Sequence, residues 1–242
     1  MLPYVNGLHR GILLYIGLIK NLKKEDCEMY VSPLKKIFYK VYLVLKGINS
    51  FYYICHIDNL KSILEKGILC RNDVISQGID INDISNKEVQ KRREDYHNYV
   101  PLFFNPRNPM MYKLIKDKKK EELCVIAISL DVLFLKSTVF SDGNIGSNNR
   151  KIYKNIEDLK KLDWQCITSK YWTSDDISYR DGKRKISAEV LVKRRVWNDK
   201  IKQIYVCCKE TEMIIRKTCV DELKKLNINV CIKKDLFFDA EE

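Results

Sequence analysis

The chain has 242 residues, of which 44 are Lys or Arg and 32 are Asp or Glu, giving a formal net charge of +12. Hydrophobic residues make up 45% and charged residues 31%, which excludes intrinsic disorder and supplies enough apolar content for the core of one large domain. The excess of positive charge favours a polyanionic partner such as nucleic acid, although a lysine-rich composition alone gives the same number.

Cysteine and histidine usage argues against a structural metal site. The nine cysteines are odd in number and include no C-x-x-C pair, and the chain has three histidines. We therefore expect neither a disulfide framework nor a bound metal, and the expected compartment is the reducing cytoplasm.

The N-terminal part of the chain differs in character from the rest. Its longest apolar run, GILLYIGLI at residues 11–19, has roughly half the length of a membrane span and lacks a cleavage pattern, so no stable membrane association is expected. Apolar residues three and four apart predict two short helices joined near Ser32 and Pro33. We expect a basic helical extension over residues 1–49 and a main domain over 50–242. Packing of the extension on the domain is favoured over a DNA-gripping arm.

After residue 50, short strands and short helices alternate at uneven spacing. The stretch FYYICHI is rich in β-forming residues, and DNLKSILEKG follows with a cap at Asp58 or Asn59 and a stop at Gly67. This pattern favours an α+β fold over a doubly wound parallel sheet. Further strands are predicted at CVIAISL, SAEVLV and IYVCC, and helices near residues 156–162 and 210–226.

Three segments without clean periodicity are candidates for binding, namely residues 72–99, 105–121 and 141–185. YVPLFFNPRNPMMY, which starts at Tyr99, is either a buried strand ended by a proline-stiffened turn or a platform for a nucleobase, and its composition favours the strand.

The run EVQKRRED, residues 88–95, is typical of a solvated helix face. An inward-pointing Arg92 or Arg93 would instead bind a pyrophosphate or a carboxylate through its fork of donors.

The stretch KISAEVLVKRRV places a carboxylate on a half-apolar face. Alternation along a strand sets Ile186, Ala188 and Val190 on one side and Glu189 with Leu191 on the other. From alternation alone, Glu189 is either a solvated edge charge or a carboxylate held against a substrate.

Four blocks stand in a fixed order along the chain, namely YICHIDNLKSILEKGILCRN, YVPLFFNPRNPMMY, FSDGN with the later LDWQCITSKYW, and AEVLV. Taken in this order, they resemble the DarT family of DNA ADP-ribosyltransferases, toxins that are usually paired with a macrodomain antitoxin. The resemblance covers about residues 50 to 240 and is strongest to the thymine-modifying branch. It implies an ADP-ribosyltransferase fold, with a central split mixed or antiparallel sheet and flanking short helices.

The resemblance also implies a reaction and a set of site residues. Family members bind NAD as co-substrate and transfer ADP-ribose to a base in single-stranded DNA, with nicotinamide as the leaving group. The family glutamate corresponds to Glu189 and the essential arginine to Arg93. Because an arginine side chain is a poor base near neutral pH, we expect Arg93 to act electrostatically and not as a base.

The family's NAD pocket opens with a His-x-Thr-His pattern, of which only the last histidine is retained here. Tyr53 and Cys55 replace the first histidine and the threonine, and a thiol is a much weaker hydrogen-bond partner than a hydroxyl. The residues implied in NAD binding are Tyr53, Ile54, Cys55, His56, Asn59, Ser62, Cys70 and Arg93.

The region between Phe140 and Glu189 corresponds to the family's substrate-recognition loop, and its aromatic and basic content suits single-stranded DNA. The expected protein is a monomeric enzyme with a macrodomain antitoxin as partner. Transfer to guanine, RNA or protein on the same scaffold, or a catalytically inactive nucleic-acid or NAD-binding module, remain alternatives. The candidate DNA-binding residues are Tyr99, Arg107, Asn144, Arg150, Lys151, Tyr171 and Trp172.

Overall fold

A computed structural model describes residues 31–85, 87–117, 120–172 and 179–239. Within them the fold is α+β, as the alternation of short elements predicts. Two helices joined near Pro33 are expected, and the one that precedes Pro33 lies outside the described residues. No helix in these ranges is long and apolar enough to cross a membrane.

An eight-stranded mixed sheet forms the centre of the described part of the domain. The strands of the fold are β1 Phe51–His56, β2 Ile68–Leu69, β3 Tyr99–Phe103, β4 Leu123–Ile128, β5 Val139–Ser141, β6 Ile152–Tyr153, β7 Glu189–Lys193, β8 Arg195–Val196, β9 Ile201–Val206 and β10 Asn229–Ile232. The spatial order in the sheet is β10-β9-β4-β1-β3-β7-β5-β6, in which β9 and β10 are parallel and the other neighbours are antiparallel. A separate two-stranded pair joins β2 to β8.

Short helices surround the sheet. The predicted helix over 210–226 is interrupted at Cys219, and the one near 156–162 is a 3-10 helix, Ile156–Lys161. Segments that lack periodicity in the sequence also contain helices, because one or two turns are too short to produce a periodic signal. The helices are α1 Pro33–Leu45, α2 Leu60–Lys66, α3 Arg71–Ser76, α4 Lys87–Arg92, α5 Pro109–Asp117, α6 Trp164–Ile167, α7 Tyr179–Lys185, α8 Lys209–Thr218 and α9 Val220–Leu226.

Apolar side chains cover both faces of the sheet. All six residues of β4 are buried, with Ile126 in the larger core cluster and Val125 in a smaller cluster on the opposite face. This explains why CVIAISL is a continuous apolar run with no alternation. In β7, Val190 and Val192 join the larger cluster while Leu191 faces a third one, so the predicted alternation is confirmed.

The central sheet is split between β1 and β3. These strands pair at a single position, Tyr52 with Phe103, whereas β3 pairs with β7 along its whole length. The amide of Phe104 donates toward β7, so by alternation the nitrogen of Pro101 faces β1, where a proline has no hydrogen to donate. Pro101 therefore favours separation of the two strands, and YVPLF is a central strand, in agreement with the interpretation that its composition favours.

Helix α1 packs on the main domain through its inner face. Ser32 caps its first turn, Pro33 occupies the first helical position, and Tyr39 and Leu43 are buried in the larger core cluster. The expected packing of this part of the extension on the domain is therefore observed for residues 31–49.

Candidate active site

A cavity of about 890 Å³ opens at the split in the sheet. Tyr53 and Ile54 reach it from β1, Tyr99 and Pro101 from β3, and Leu191 from β7. Its volume lies toward the upper end of the roughly 300–1,000 Å³ that is usual for small-molecule sites. Five basic lining residues outnumber three acidic ones, which suits an anionic ligand. The charged lining residues are Arg71, Arg93, Lys113, Lys116, Lys183, Asp83, Glu88 and Asp117.

Glu189 is the first residue of β7 and has no exposure to solvent. One carboxylate oxygen accepts a hydrogen bond from Arg93 Nη2 at 2.5 Å, and the other accepts the Ile145 backbone N–H at 3.1 Å. A charged group without solvent requires such partners, because an unpaired buried carboxylate is costly. Glu189 therefore lies in a preformed pocket of donors below the cavity wall.

The loop after β5 is held so that Ile145 can donate to the carboxylate. The Ser141 hydroxyl donates to the Gly143 carbonyl at 2.6 Å and accepts the Glu189 backbone N–H at 3.2 Å. Arg184 donates to the Asp142 carboxylate at 2.9 Å, and a Cβ atom on Gly143 would lie 2.8 Å from the backbone carbonyl oxygen of Arg184, which cannot move aside as a side chain can. Glycine is thus required here by close packing, and the FSDGN motif positions a donor for Glu189.

Arg93 is the buried member of its arginine pair. Helix α4 ends at Arg92, which is exposed, and the chain turns at Arg93, whose amide donates to the Gln90 carbonyl at 3.0 Å. His97 lies 3.1 Å from both the Gln90 carbonyl and its side-chain oxygen, which stabilises the same turn. This turn directs the Arg93 side chain inward, where it both lines the cavity and covers Glu189.

The protonation equilibria of two site residues are shifted by burial. Burial raises the pKa of Glu189, while the positive charge of Arg93 and the Ile145 N–H act in the opposite direction with a smaller effect. Burial also raises the pKa of the Tyr53 phenol well above its usual range. Tyr53, which lines the cavity, therefore stays neutral near pH 7.

The residues implied in NAD binding do not all line the cavity. Three of them do, namely Tyr53, Ile54 and Arg93, whereas the other five are not among its lining residues. Cys55 is buried with its sulfur 3.4 Å from that of Cys124.

The remaining predicted NAD contacts have neighbours of their own. His56 Nδ1 lies 3.1 Å from the Asp58 carboxylate, and the Asn59 side chain bonds to the backbone of Asn82. Ser62 is half-buried on α2 and Cys70 is buried at the start of α3.

Two of the candidate DNA-binding residues line the cavity, Tyr99 and Asn144. Lys193 lies over the Tyr99 ring at 4.6 Å, and Arg150 lies 5.4 Å from the centre of the Tyr96 ring. These cation and aromatic pairs lie on the side of the site formed by β3, β7 and the loop after β5.

The other four candidates lie in different surroundings. Lys151 and Tyr171 are exposed, whereas Trp172 is half-buried with its ring 5.7 Å from that of Phe238. Arg107 is buried, with its guanidinium 4.1 Å from the centre of the Phe238 ring and a 2.6 Å hydrogen bond to the Phe237 carbonyl. Arg107 thus binds the C-terminal segment, away from the cavity.

Sequence reasoning missed several residues of the site. Tyr96 and Arg71 line the cavity, and Ile145 donates to Glu189 through its backbone. A backbone donor leaves no trace in residue type, so no sequence signal could identify Ile145. Tyr96 lies three residues before Tyr99, and this aromatic pair is the one sequence signal that could have identified Tyr96 as a site residue.

Metal ligands are not clustered in the described ranges, where no group of three or more His, Cys, Asp or Glu residues could hold an ion.

Comparison with known proteins points to one family. A family model described as "ssDNA thymidine ADP-ribosyltransferase, DarT" matches residues 52–238. A DNA ADP-ribosyl transferase–DNA ADP-ribosyl glycohydrolase fusion protein from Thermosipho africanus is 31% identical over 201 residues, covering 78% of this chain and 50% of the relative. The chain thus spans half the length of that fusion protein.

Two solved structures of DarT from Thermus sp. 2.9 are similar in fold. The complex with ADP-ribosylated single-stranded DNA superposes with a TM-score of 0.66 at 26% identity, covering 79% of this chain and 97% of that one. The complex with NAD+ gives a TM-score of 0.62 at 25% identity, covering 79% and 98%.

Proposed function

The chain belongs to the DarT family, and on that premise we propose that it transfers ADP-ribose from NAD to a thymine base of single-stranded DNA, releasing nicotinamide. The observation that carries the proposal is the fully buried Glu189, ion-paired with Arg93 beneath a cavity in the split of the sheet. The catalytic roles of Glu189 and Arg93 are part of the proposal.

The chemistry of NAD cleavage calls for a buried carboxylate. Breaking the bond between the ribose C1′ and nicotinamide leaves the bonding electrons on nicotinamide and positive charge on the ribose. A fixed carboxylate stabilises that charge, and it does so more strongly where water is excluded. A nitrogen of the acceptor base then forms the new bond to C1′ and loses its proton.

Glu189 is the group we assign to that acceptor proton. Burial raises its pKa, so it holds a proton more readily than an exposed carboxylate does. Arg93 serves as the charge partner of Glu189 or of the NAD phosphates. Since Arg93 covers Glu189, its guanidinium has to move aside when the ribose reaches the carboxylate.

The cavity offers the contacts that a dinucleotide needs. Ring faces are supplied by Tyr53, Tyr96 and Tyr99, and cations by the basic lining residues, of which Arg71 is anchored to Asp83 at 2.8 Å. For the DNA strand we propose the side with Tyr99, Asn144 and Arg150, where each stacked base contributes roughly 1–3 kcal/mol.

The fused relative supports the proposal of a partner with the opposite activity. In that protein a DNA ADP-ribosyl glycohydrolase is joined to the transferase, and we propose that a macrodomain glycohydrolase acts as antitoxin to this chain. The chain would then act as a monomeric toxin in the cytoplasm. The eight cysteines in the described ranges are all free thiols, which fits a reducing compartment.

The test is a transfer assay with NAD labelled in its adenylate part. Incubation with a thymidine-containing oligonucleotide should give a product heavier by one ADP-ribose, detected by mass spectrometry. Glu189→Gln, which keeps the shape and removes the charge, should reduce the transfer rate by at least about a thousandfold, since it removes the main electrostatic stabilisation. The matched control Glu65→Gln changes an exposed carboxylate outside the cavity and should leave the rate unchanged.

Homopolymer, RNA and protein acceptors in parallel distinguish the alternatives. Transfer to an oligonucleotide of guanine, to RNA or to protein with no transfer to thymidine would replace the proposed acceptor. Calorimetric binding of NAD without nicotinamide release, across the whole panel, would identify an inactive binding module instead.

A further inference from the structure

Helix α1 carries an exposed apolar stripe on the face opposite to its packed one. Six large apolar side chains at spacings of three and four residues are between 50% and 81% exposed. This spacing is typical of a helix face that is buried against another element. Since no element among the described residues covers the stripe, we expect a further segment or molecule to pack on it. The stripe consists of Leu34, Ile37, Phe38, Val41, Val44 and Leu45.

The lysines of α1 do not form a basic border around the stripe. Lys36 and Lys40 form ion pairs with Asp131 at 2.5 and 2.9 Å, and Lys35 pairs with Glu157 at 2.6 Å. All three contacts turn the positive charge toward the main domain. An anionic membrane surface, which requires basic residues beside the apolar ones, is therefore a poor match.

We propose that the apolar run at residues 11–19 of this chain covers the stripe. The run GILLYIGLI supplies seven large apolar side chains in nine residues, enough to bury a stripe of six. It is followed by a mostly polar and charged stretch, residues 20–28, and then by three apolar residues before the Ser32 cap of α1.

The connecting length allows the run to reach the stripe. From Leu34 to Leu45 the helix rises about 17 Å at 1.5 Å per residue. The eleven residues 20–30 connect the run to the buried Val31, and a chain of that length can span up to about 36–40 Å. The run can therefore return along α1 without strain in the connection.

A tethered segment also has an advantage over a second molecule. A short connection gives an effective concentration in the millimolar range, far above the concentration of another copy of the chain in solution. The stripe and the run are thus expected to associate within one chain, which leaves the protein monomeric.

The test uses the full chain and oxidative footprinting of α1 by mass spectrometry. In Leu13→Asp/Ile16→Asp, two charges interrupt the run, and Phe38 should be modified at least three times faster than in the wild type. The matched control Asn6→Asp/Asn21→Asp adds the same charge outside the run and should behave as the wild type.

Ile75, which is 66% exposed on α3, serves as an internal reference whose rate should not change. Equal Phe38 rates in the wild type and the run variant would overturn the proposal. A mass of two chains in light scattering, reduced to the mass of one chain by Phe38→Asp, would also overturn the proposal, since a second copy would then cover the stripe. Binding to phosphatidylcholine–phosphatidylglycerol vesicles that Phe38→Asp abolishes would overturn it in favour of a lipid surface.

Discussion

Replacing Arg93 by methionine removes the counter-ion of a carboxylate that has no exposure to solvent. Methionine keeps a comparable unbranched side chain, so the change is mainly one of charge. Removing one partner of a buried ion pair costs about 3–5 kcal/mol. For a chain of this length that corresponds to a decrease in Tm of about 6 to 20 °C.

The loss of stability in Arg93→Met should depend on pH, because Glu189 can avoid an unpaired charge by taking up a proton. Burial already raises the pKa of Glu189, and without Arg93 the main opposing influence is gone. A carboxyl whose pKa is raised in the folded state contributes stability below its unfolded-state pKa of about 4.3 and loses it as pH rises through the folded-state pKa. Arg93→Met should therefore be closest to the wild type at pH 5 and furthest from it at pH 8.

Urea unfolding followed by fluorescence at both pH values measures the effect. Arg92→Met is the matched control, since that neighbour is exposed and its loss should change the free energy of unfolding by less than about 0.5 kcal/mol. The double variant Arg93→Met/Glu189→Gln should be more stable at pH 8 than Arg93→Met alone, because the unpaired charge is gone. Equal losses of stability for Arg92→Met and Arg93→Met, or a loss independent of pH, would show that Arg93 does not stabilise a buried charge on Glu189.

Two further changes test the supports of α1 and of the site. Burial raises the pKa of Asp131, but hydrogen bonds from two lysines of α1 and from a serine outweigh it and hold that pKa well below its usual range. Asp131→Asn should therefore lower the free energy of unfolding by about 1 kcal/mol at pH 7. The difference should be smaller near pH 3, because the wild type loses this contribution as pH falls. Asp199→Asn, which changes an exposed ion pair, is the control for the urea titration. Gly143→Ala places a methyl group against the neighbouring arginine and should shift the Ile145 donor away from the carboxylate, reducing kcat about tenfold. Steady-state kinetics would contradict this if the alanine variant matched Asn148→Ala, a change at an exposed position of the same loop.

Local sequence patterns predict the parts of this fold that depend on neighbouring residues. Alternation across β7 places Glu189 on the face of Leu191, and the continuous apolar run in β4 fits a strand covered on both faces. The capping residues Ser32 and Gly67 mark helix ends as expected. Each of these signals arises within one element.

Local pattern could not choose between Arg92 and Arg93, since both lie in the same charged run. The resemblance to the family selected Arg93, and only the turn at the end of α4 explains why that side chain points inward. Likewise, the Ile145 donor depends on a loop 44 residues before Glu189 and on backbone atoms, which carry no residue-specific information.

Residue patterns are sufficient to predict the α+β class, the apolar faces of the strands and a carboxylate on a half-apolar face, because these follow from the geometry of single elements. Contacts across the fold are needed to separate β1 from β3 beside Pro101 and to bring Arg93 to Glu189 from a position 96 residues away. Both features depend on contacts between distant parts of the chain, and a buried charge pair is stable only when the whole fold brings its donors together.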